Sequence, residues 1–328
     1  MSLRHGELIH SAPRAVDSFS FHPYLPTMIL RYDRLAVELP KPKNPSPNDA
    51  AAIQELLGGK YGEMSTLMNY TFQSFNFRGR NRLRPFYDLT CSIAAEEYSH
   101  IEAVSYAINL LLTGQTVRGK DPKPGPLKEV VDARNSYHFL SSAQAALPYD
   151  SMGNPWTGQY VHSSGNLKLD LLHNFFLECG ARANKMRVYE MVTDPCARTM
   201  VGYLLVRGGL HVVAYAKALE KLTGVEVSKL VPVPELSNDA FPEAKKLQEE
   251  QKLHLKLYTF SPDDYKQAGI IWNGSHPEDG QPLEVIQGGF MGVPYPELEE
   301  EPQLNSPGAD DYDPEMFKDI AKKMGIKL

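Results

Sequence analysis

The chain has 328 residues, 42% of them hydrophobic and 23% charged, a balance that suits a soluble globular protein with a sizeable core. Thirty-four Lys and Arg against forty Asp and Glu give a formal charge of −6, which excludes a broad basic surface and with it nucleic acid as a partner. There is no apolar run of ~18 residues to cross a membrane and no signal-length apolar stretch after Arg4 and His5, and the three cysteines, Cys91, Cys179 and Cys196, lack finger spacing, so they read as buried thiols of a cytoplasmic protein.

Four long segments carry helical periodicity. The first runs from the N-cap Asp49 to about Asn76. The second starts near Pro85 and ends before Thr113-Gly114. The third covers roughly Leu167 to Val192, and Asp194-Pro195 separates it from the fourth, about Ala197 to Thr223. Short connections join the first to the second and the third to the fourth. About fifty residues rich in Gly, Pro, Asn and Ser (114–166) separate the two pairs, and VVDARNSYHFLSS within them supplies a further helix. Two tight hairpins and one long crossover predict an all-α, ferritin-like four-helix bundle over 48–223. Residues 1–47 read as an extended arm. Residues 224–328, rich in Pro and acidic residues, read as a tail too poor in apolar residues for a second core, which packs on the bundle or on a neighbouring subunit; Asp313-Pro314 opens a last short helix, EMFKDIAKKM.

Ionisable residues inside the apolar helical runs are the informative ones, because a buried charge is costly unless compensated. In the second helix Glu97 and His100 stand three apart, on one face. Glu63 lies among Leu56, Leu57, Leu67 and Met68, with Tyr70 two turns further along the same face. Glu178 sits in FFLECGA, and His211 in LLVRGGLHVVAYA. Three buried carboxylates would repel one another, and a pair of divalent cations neutralises them. Three carboxylates and two imidazoles leave manganese or iron; no cysteine is placed as a ligand. A di-iron bundle usually offers two Glu-x-x-His halves, but Gly208 stands three residues before His211, and the missing anion favours manganese. Gly208-Gly209 inside a helix reads either as close helix packing or as space beside the metals. His138, His162 and His173 read as core or loop residues, and Cys179 as a small buried filler.

LLGGKYGEMSTLMNYTFQSFNFRGR, AAEEYSHIE, SSGNLKLDLLHNFFLECGAR and YLLVRGGLHVVAYAKALEKLTGVE resemble the bundle helices of the manganese catalases, and the similarity runs from about Ile29 to about residue 290. The resemblance implies disproportionation of hydrogen peroxide to water and dioxygen at two manganese ions per subunit. It implies that Glu63 and His100 bind one ion, Glu178 and His211 the other, and that Glu97 bridges them. Tyr70 is implied as a hydrogen-bond partner of the Glu63 carboxylate. Leu177 and Gly208 depart from the family version that carries an Arg and a Glu at these places, and Lys185 matches the other version, in which a lysine acts electrostatically or in proton transfer. Asp88 falls at a calcium-ligand position of one branch, but Ser92 replaces a second acidic ligand, which argues against calcium. The resemblance also implies a homohexamer in which tails embrace neighbours. The family's amino terminus resembles MILRYDRLAVELP, beginning at Met28. The competing readings are a di-iron ferritin-like oxidase and a non-enzymatic ferritin-like assembly protein.

Overall fold

The periodic segments form helices, but the first of them is broken in two. In the computed structural model, which describes residues 34–112, 145–230, 232, 235–298 and 314–326, it consists of α1 (Pro47–Gly58) and α2 (Glu63–Phe75). The backbone leaves the helix at Gly59, with φ −66° and ψ 166°. At Gly58 the loop around Tyr149 lies so close that a Cβ would come within 2.5 Å of the Tyr149 backbone. The apolar pattern continues through the break, so periodicity alone does not reveal it.

The other long helices are α3 (Arg84–Leu112), α4 (Leu167–Met191) and α5 (Pro195–Thr223). Their ends follow local chemistry. Asn166 caps α4 through its side-chain oxygen, which accepts from the amides of Lys168 and Leu169. Asp194 caps α5 by accepting from Cys196 N at 2.8 Å, with Pro195 as the first helical residue. Gly224, at φ 72°, closes α5 in the left-handed conformation.

Among the described residues the apolar core divides into two clusters. One gathers α1, the C-terminal half of α3, the end of α4 and the first half of α5. The other gathers Tyr70 of α2, the first half of α3, the start of α4 and the second half of α5. The order in which each helix meets the clusters shows that α3 and α4 run in the same direction, antiparallel to α5. Two parallel neighbours need a long crossover, which residues 113–166 supply. Residues 113–144, with the expected VVDARNSYHFLSS helix and His138, lie outside the described residues, as do residues 1–33 of the arm.

The tail packs on this frame. Helix α6 (Pro242–Gln251) adds Ala244 and Leu247 to the first cluster. Trp272, Ile271 and Leu257 join the second. Strand β1 (Arg34–Leu35) pairs antiparallel with β4 (Val293–Pro294), and β2 (Lys256–Tyr258) pairs parallel with β3 (Glu284–Ile286). Helix α7 (Pro314–Lys323) follows near the end. Cys91 and Cys196 are buried free thiols; Cys179 is only half-buried, packed against the second cluster. No helix among the described residues is long and apolar enough to cross a membrane.

Candidate metal centre

Between the two apolar clusters lies a polar layer. Glu96, Glu97 and His100 of α3, Glu178, Arg182 and Lys185 of α4, and Arg207 and His211 of α5 are all buried, together with Glu63 of α2. The break in the first helix makes Glu63 the first residue of α2, where the partial positive charge of a helix N-terminus favours its carboxylate.

The five candidate ligands converge. Donor atoms of Glu63, Glu97 and His100 all lie within 4.8 Å of one another, and so do those of Glu97, Glu178 and His211, so Glu97 belongs to both groups. His100 Nδ1 is 3.0 Å from Glu97 Oε2 and 3.3 Å from Glu63 Oε2. His211 Nδ1 is 2.8 Å from Glu97 Oε1 and 3.3 Å from Glu178 Oε1. Despite that proximity, Glu97 Oε1 and His211 Nδ1 are not aligned to hydrogen-bond each other, and Glu178 Oε2 is likewise buried without a hydrogen-bond partner. Buried donors aimed at common points but unpaired are what a cation pair requires. Burial pushes the His100 imidazole down, but Glu97, Glu63 and Glu96 outweigh it and raise it to about 10; Glu97 and Glu178 likewise hold His211 well above its usual range.

Lys185 and Tyr70 surround this core, with one correction. The Tyr70 hydroxyl donates to Glu178 Oε1 at 2.6 Å, not to Glu63 as the resemblance implied. Seven residues carry Tyr70 about 10.5 Å along the axis of α2, past Glu63 and up to α4. Its phenol is held well above the ordinary range by burial and by Glu178. Glu63 is met instead by Lys185, whose Nζ is 2.9 Å from Oε1. Burial opposes ionisation of both, but Lys185 holds Glu63 below the usual carboxylate range, and Glu63 in turn raises Lys185.

Two further residues escaped the sequence reading. Glu96 lies 3.6 Å from His100 Nε2 and 3.4 Å from His211 Nε2, on the far side of both rings from the ligand cluster. Its negative charge favours the proton on each Nε2, which turns each Nδ1 lone pair toward the cluster. Arg207 grips Glu96 with two parallel contacts, Nε to Oε1 and Nη2 to Oε2, and keeps that carboxyl well below its ordinary value despite burial. The signal was present: Glu96 and His100 are four apart, and Arg207 stands in the apolar run LLVRGGLH.

The glycine pair has a packing reason. A Cβ at Gly208 would come within 3.2 Å of Lys185 Nζ, and one at Gly209 within 3.7 Å of the Arg182 guanidinium. Gly208 thus leaves room for the lysine that reaches Glu63. The remaining expectations lie elsewhere. The rings of His162 and His173 lie tilted against each other, their centroids 4.6 Å apart, and His173 bonds Asn69. Asp88 is engaged by Arg84 Nε at 2.6 Å and by the amide of Gln267 at 3.0 Å.

Comparison with known proteins decides the family. The family model of the manganese containing catalases matches residues 28–323. The chain belongs to the manganese catalase family. The match begins at Met28, as the resemblance did, but extends past residue 290 and takes in the acidic end. A manganese catalase of Bacillus subtilis is 32% identical over 267 residues, covering 80% of this chain and 92% of that relative. One from Lactiplantibacillus plantarum is 33% identical over 183 residues, covering 56% and 68%. Among solved structures, a manganese catalase from Anabaena superposes with a TM-score of 0.50 at 26% identity, over 60% of this chain and 81% of that one. Membership makes the chain a hydrogen-peroxide oxidoreductase with a dimanganese centre. The buried, unpaired carboxylate and imidazole donors fit such a pair, being hard to borderline and free of thiolate.

Proposed function

We propose that Glu63 and His100 hold one manganese ion, Glu178 and His211 the second, and that Glu97 bridges them in the disproportionation of hydrogen peroxide. The observation that carries this reading is the membership of Glu97 in both donor groups, with one imidazole in each. When bound, a manganese pair cycling between the II,II and III,III states supplies the two-electron exchange with peroxide that yields water in one half-reaction and dioxygen in the other.

The remaining residues set geometry, charge and proton position. Tyr70 donates to Glu178 and so fixes which oxygen of that carboxylate stays free for an ion. Glu96, kept ionised by Arg207, sets a carboxylate on the Nε2 side of both imidazoles and so favours the tautomer that ligates through Nδ1. Lys185 keeps a proton at Nζ, 2.9 Å from Glu63, where it offsets the carboxylate excess and stands ready to move a proton beside the centre. Lys185 together with Gly208 supports assignment to the lysine-bearing version of the family site.

A homohexamer is supported by the apolar surface of two helices: Phe72 and Phe75 of α2, and Leu169, Leu172 and Phe176 of α4, are exposed, with Phe75 at 65% and Phe176 at 62%. A cytoplasmic location is supported by three unpaired cysteines.

Metal content and oxygen release, measured together, test the reading. The wild type is expected to carry two manganese per chain and to release dioxygen from peroxide in the presence of haem poisons. Glu97→Gln is expected to lose metal and activity. A fully loaded and active variant contradicts the bridging role, and iron with no oxygen release favours a di-iron oxidase instead.

A further inference from the structure

The described residues hold one more convergence of metal-type donors, outside the polar layer. His254 lies in the 3-10 turn Leu253–Leu255 that leads into β2. His276 and Asp279 lie on a loop closed by the bridge between Ser275 and Pro282. A donor atom from each of the three lies within 4.8 Å of the others. His254 and His276 are buried, at 3% and 4% exposure, and their rings meet edge to face at 5.0 Å. The Asp279 side chain is 27% exposed, so the cluster is open to water on one side.

A hydrogen-bonded clamp would need only one of these imidazoles. His254 Nε2 lies 2.8 Å from Asp279 Oδ2, which satisfies one nitrogen of that ring. Its Nδ1 is buried and has no hydrogen-bond partner among the described residues. Nε2 is therefore the nitrogen that this ring offers to the cluster, while Nδ1 lies on its opposite edge. His276 Nδ1, 3.6 Å from Asp279 Oδ1, is held only by a long 3.3 Å contact from the amide of Glu278. Asp279 also accepts from the amide of Gln281 at 3.0 Å and from its Nε2 at 2.8 Å. A carboxylate has about four acceptor sites, so these bonds orient it without exhausting it.

We propose that His254, His276 and Asp279 form a mononuclear site for a divalent cation of the zinc class, separate from the dinuclear centre. Two imidazoles and one carboxylate are the donor set that borderline dications prefer over manganese or calcium, and the exposed side leaves a position for water. The site braces the tail beside the polar layer. Leu253, adjacent to His254, and Lys256 both accept from Arg207 Nη1, and Arg207 grips Glu96. The cation therefore pins the 275–282 loop to the segment that Arg207 already holds.

Zinc alone is titrated into the manganese-loaded full chain, and both metals are quantified after desalting. The expected result is one equivalent of zinc bound with manganese content unchanged. His276→Ala and Asp279→Asn are each expected to reduce that equivalent to none; Asp279→Asn, nearly the same shape, keeps the test valid if His276→Ala does not fold. Cobalt in place of zinc gives a visible absorption band in the wild type that both variants lack. No added equivalent, one-for-one loss of manganese, or a third equivalent retained in the variants overturns the proposal. Manganese content reads the dinuclear centre separately, so the two readings fail independently.

Discussion

Gly208 and Gly209 stand side by side in α5, yet alanine is expected to act oppositely at the two. A methyl at 208 sits 3.2 Å from Lys185 Nζ, in a buried place where the ammonium must move off Glu63 to relieve it. Gly208→Ala should therefore lower the rate of oxygen release about tenfold, a barrier change of ~1.4 kcal/mol, while the protein still binds manganese. A methyl at 209 meets the Arg182 guanidinium at 3.7 Å, ordinary contact, and should raise stability by up to ~1 kcal/mol through helix propensity, measured by thermal unfolding. Equal effects at the two positions would contradict the role given to Gly208. Protonation acts at the same scale. With His100 raised to about 10, its imidazole carries a proton at neutral pH that an entering ion must displace. Manganese uptake by metal-free protein should release protons, and its apparent affinity should rise as pH rises toward that value. Uptake independent of pH, followed by metal analysis after equilibrium dialysis, would count against the assigned ligand.

At the scale of elements, the decisive feature is the interruption between α1 and α2. It turns Glu63 from a mid-helix residue into a helix-initiating one and brings the loop around Tyr149 onto the backbone at Gly58, where Gly58 N donates to Tyr149 O at 3.1 Å. Gly58→Ala places a methyl against that backbone, which unlike a side-chain tip cannot step aside. The expected cost is roughly 1–3 kcal/mol, the usual range for overpacking, read as a lower denaturant midpoint with an unchanged slope. Unchanged or greater stability would show that the loop yields there. The capped starts of α4 and α5 work differently. Asn166 and Asp194 satisfy amides of their own helix and need no distant partner.

For the whole molecule, the polar layer cuts one apolar core into two, and buried arginines tie the tail across the cut. Arg182 binds the carbonyls of Glu235, Ser237 and Leu205 and the side chain of Asn238, and Arg207 binds those of Leu253 and Lys256. Apolar residues of the tail, among them Ala244, Leu247, Leu257 and Trp272, enter the bundle's own clusters. The outward aromatic surface of α2 and α4 belongs to this scale too. If subunits cover it, Phe176→Asp should shift the assembly to smaller species in light scattering, whereas an unchanged mass would place the interface elsewhere.

The sequence by itself determined the mostly helical character, the pairing of hairpins across a long crossover, and the five residues that converge. Each of these signals is local: a period of apolar positions, a capping side chain, or an ionisable group inside an apolar run such as AAEEYSH or LLVRGGLH. What only the tertiary structure decided depends on groups from distant parts of the chain. Tyr70 finds Glu178 across 108 residues rather than Glu63 on its own helix, and Glu96 finds Arg207 across 111. Gly58 meets the Tyr149 loop, and His254 meets Asp279, only once distant segments have folded together. Hydrophobic periodicity reports which face of a segment is buried, but a hydrogen bond or ion pair is chosen by packing between segments, and that choice is made only when the segments meet.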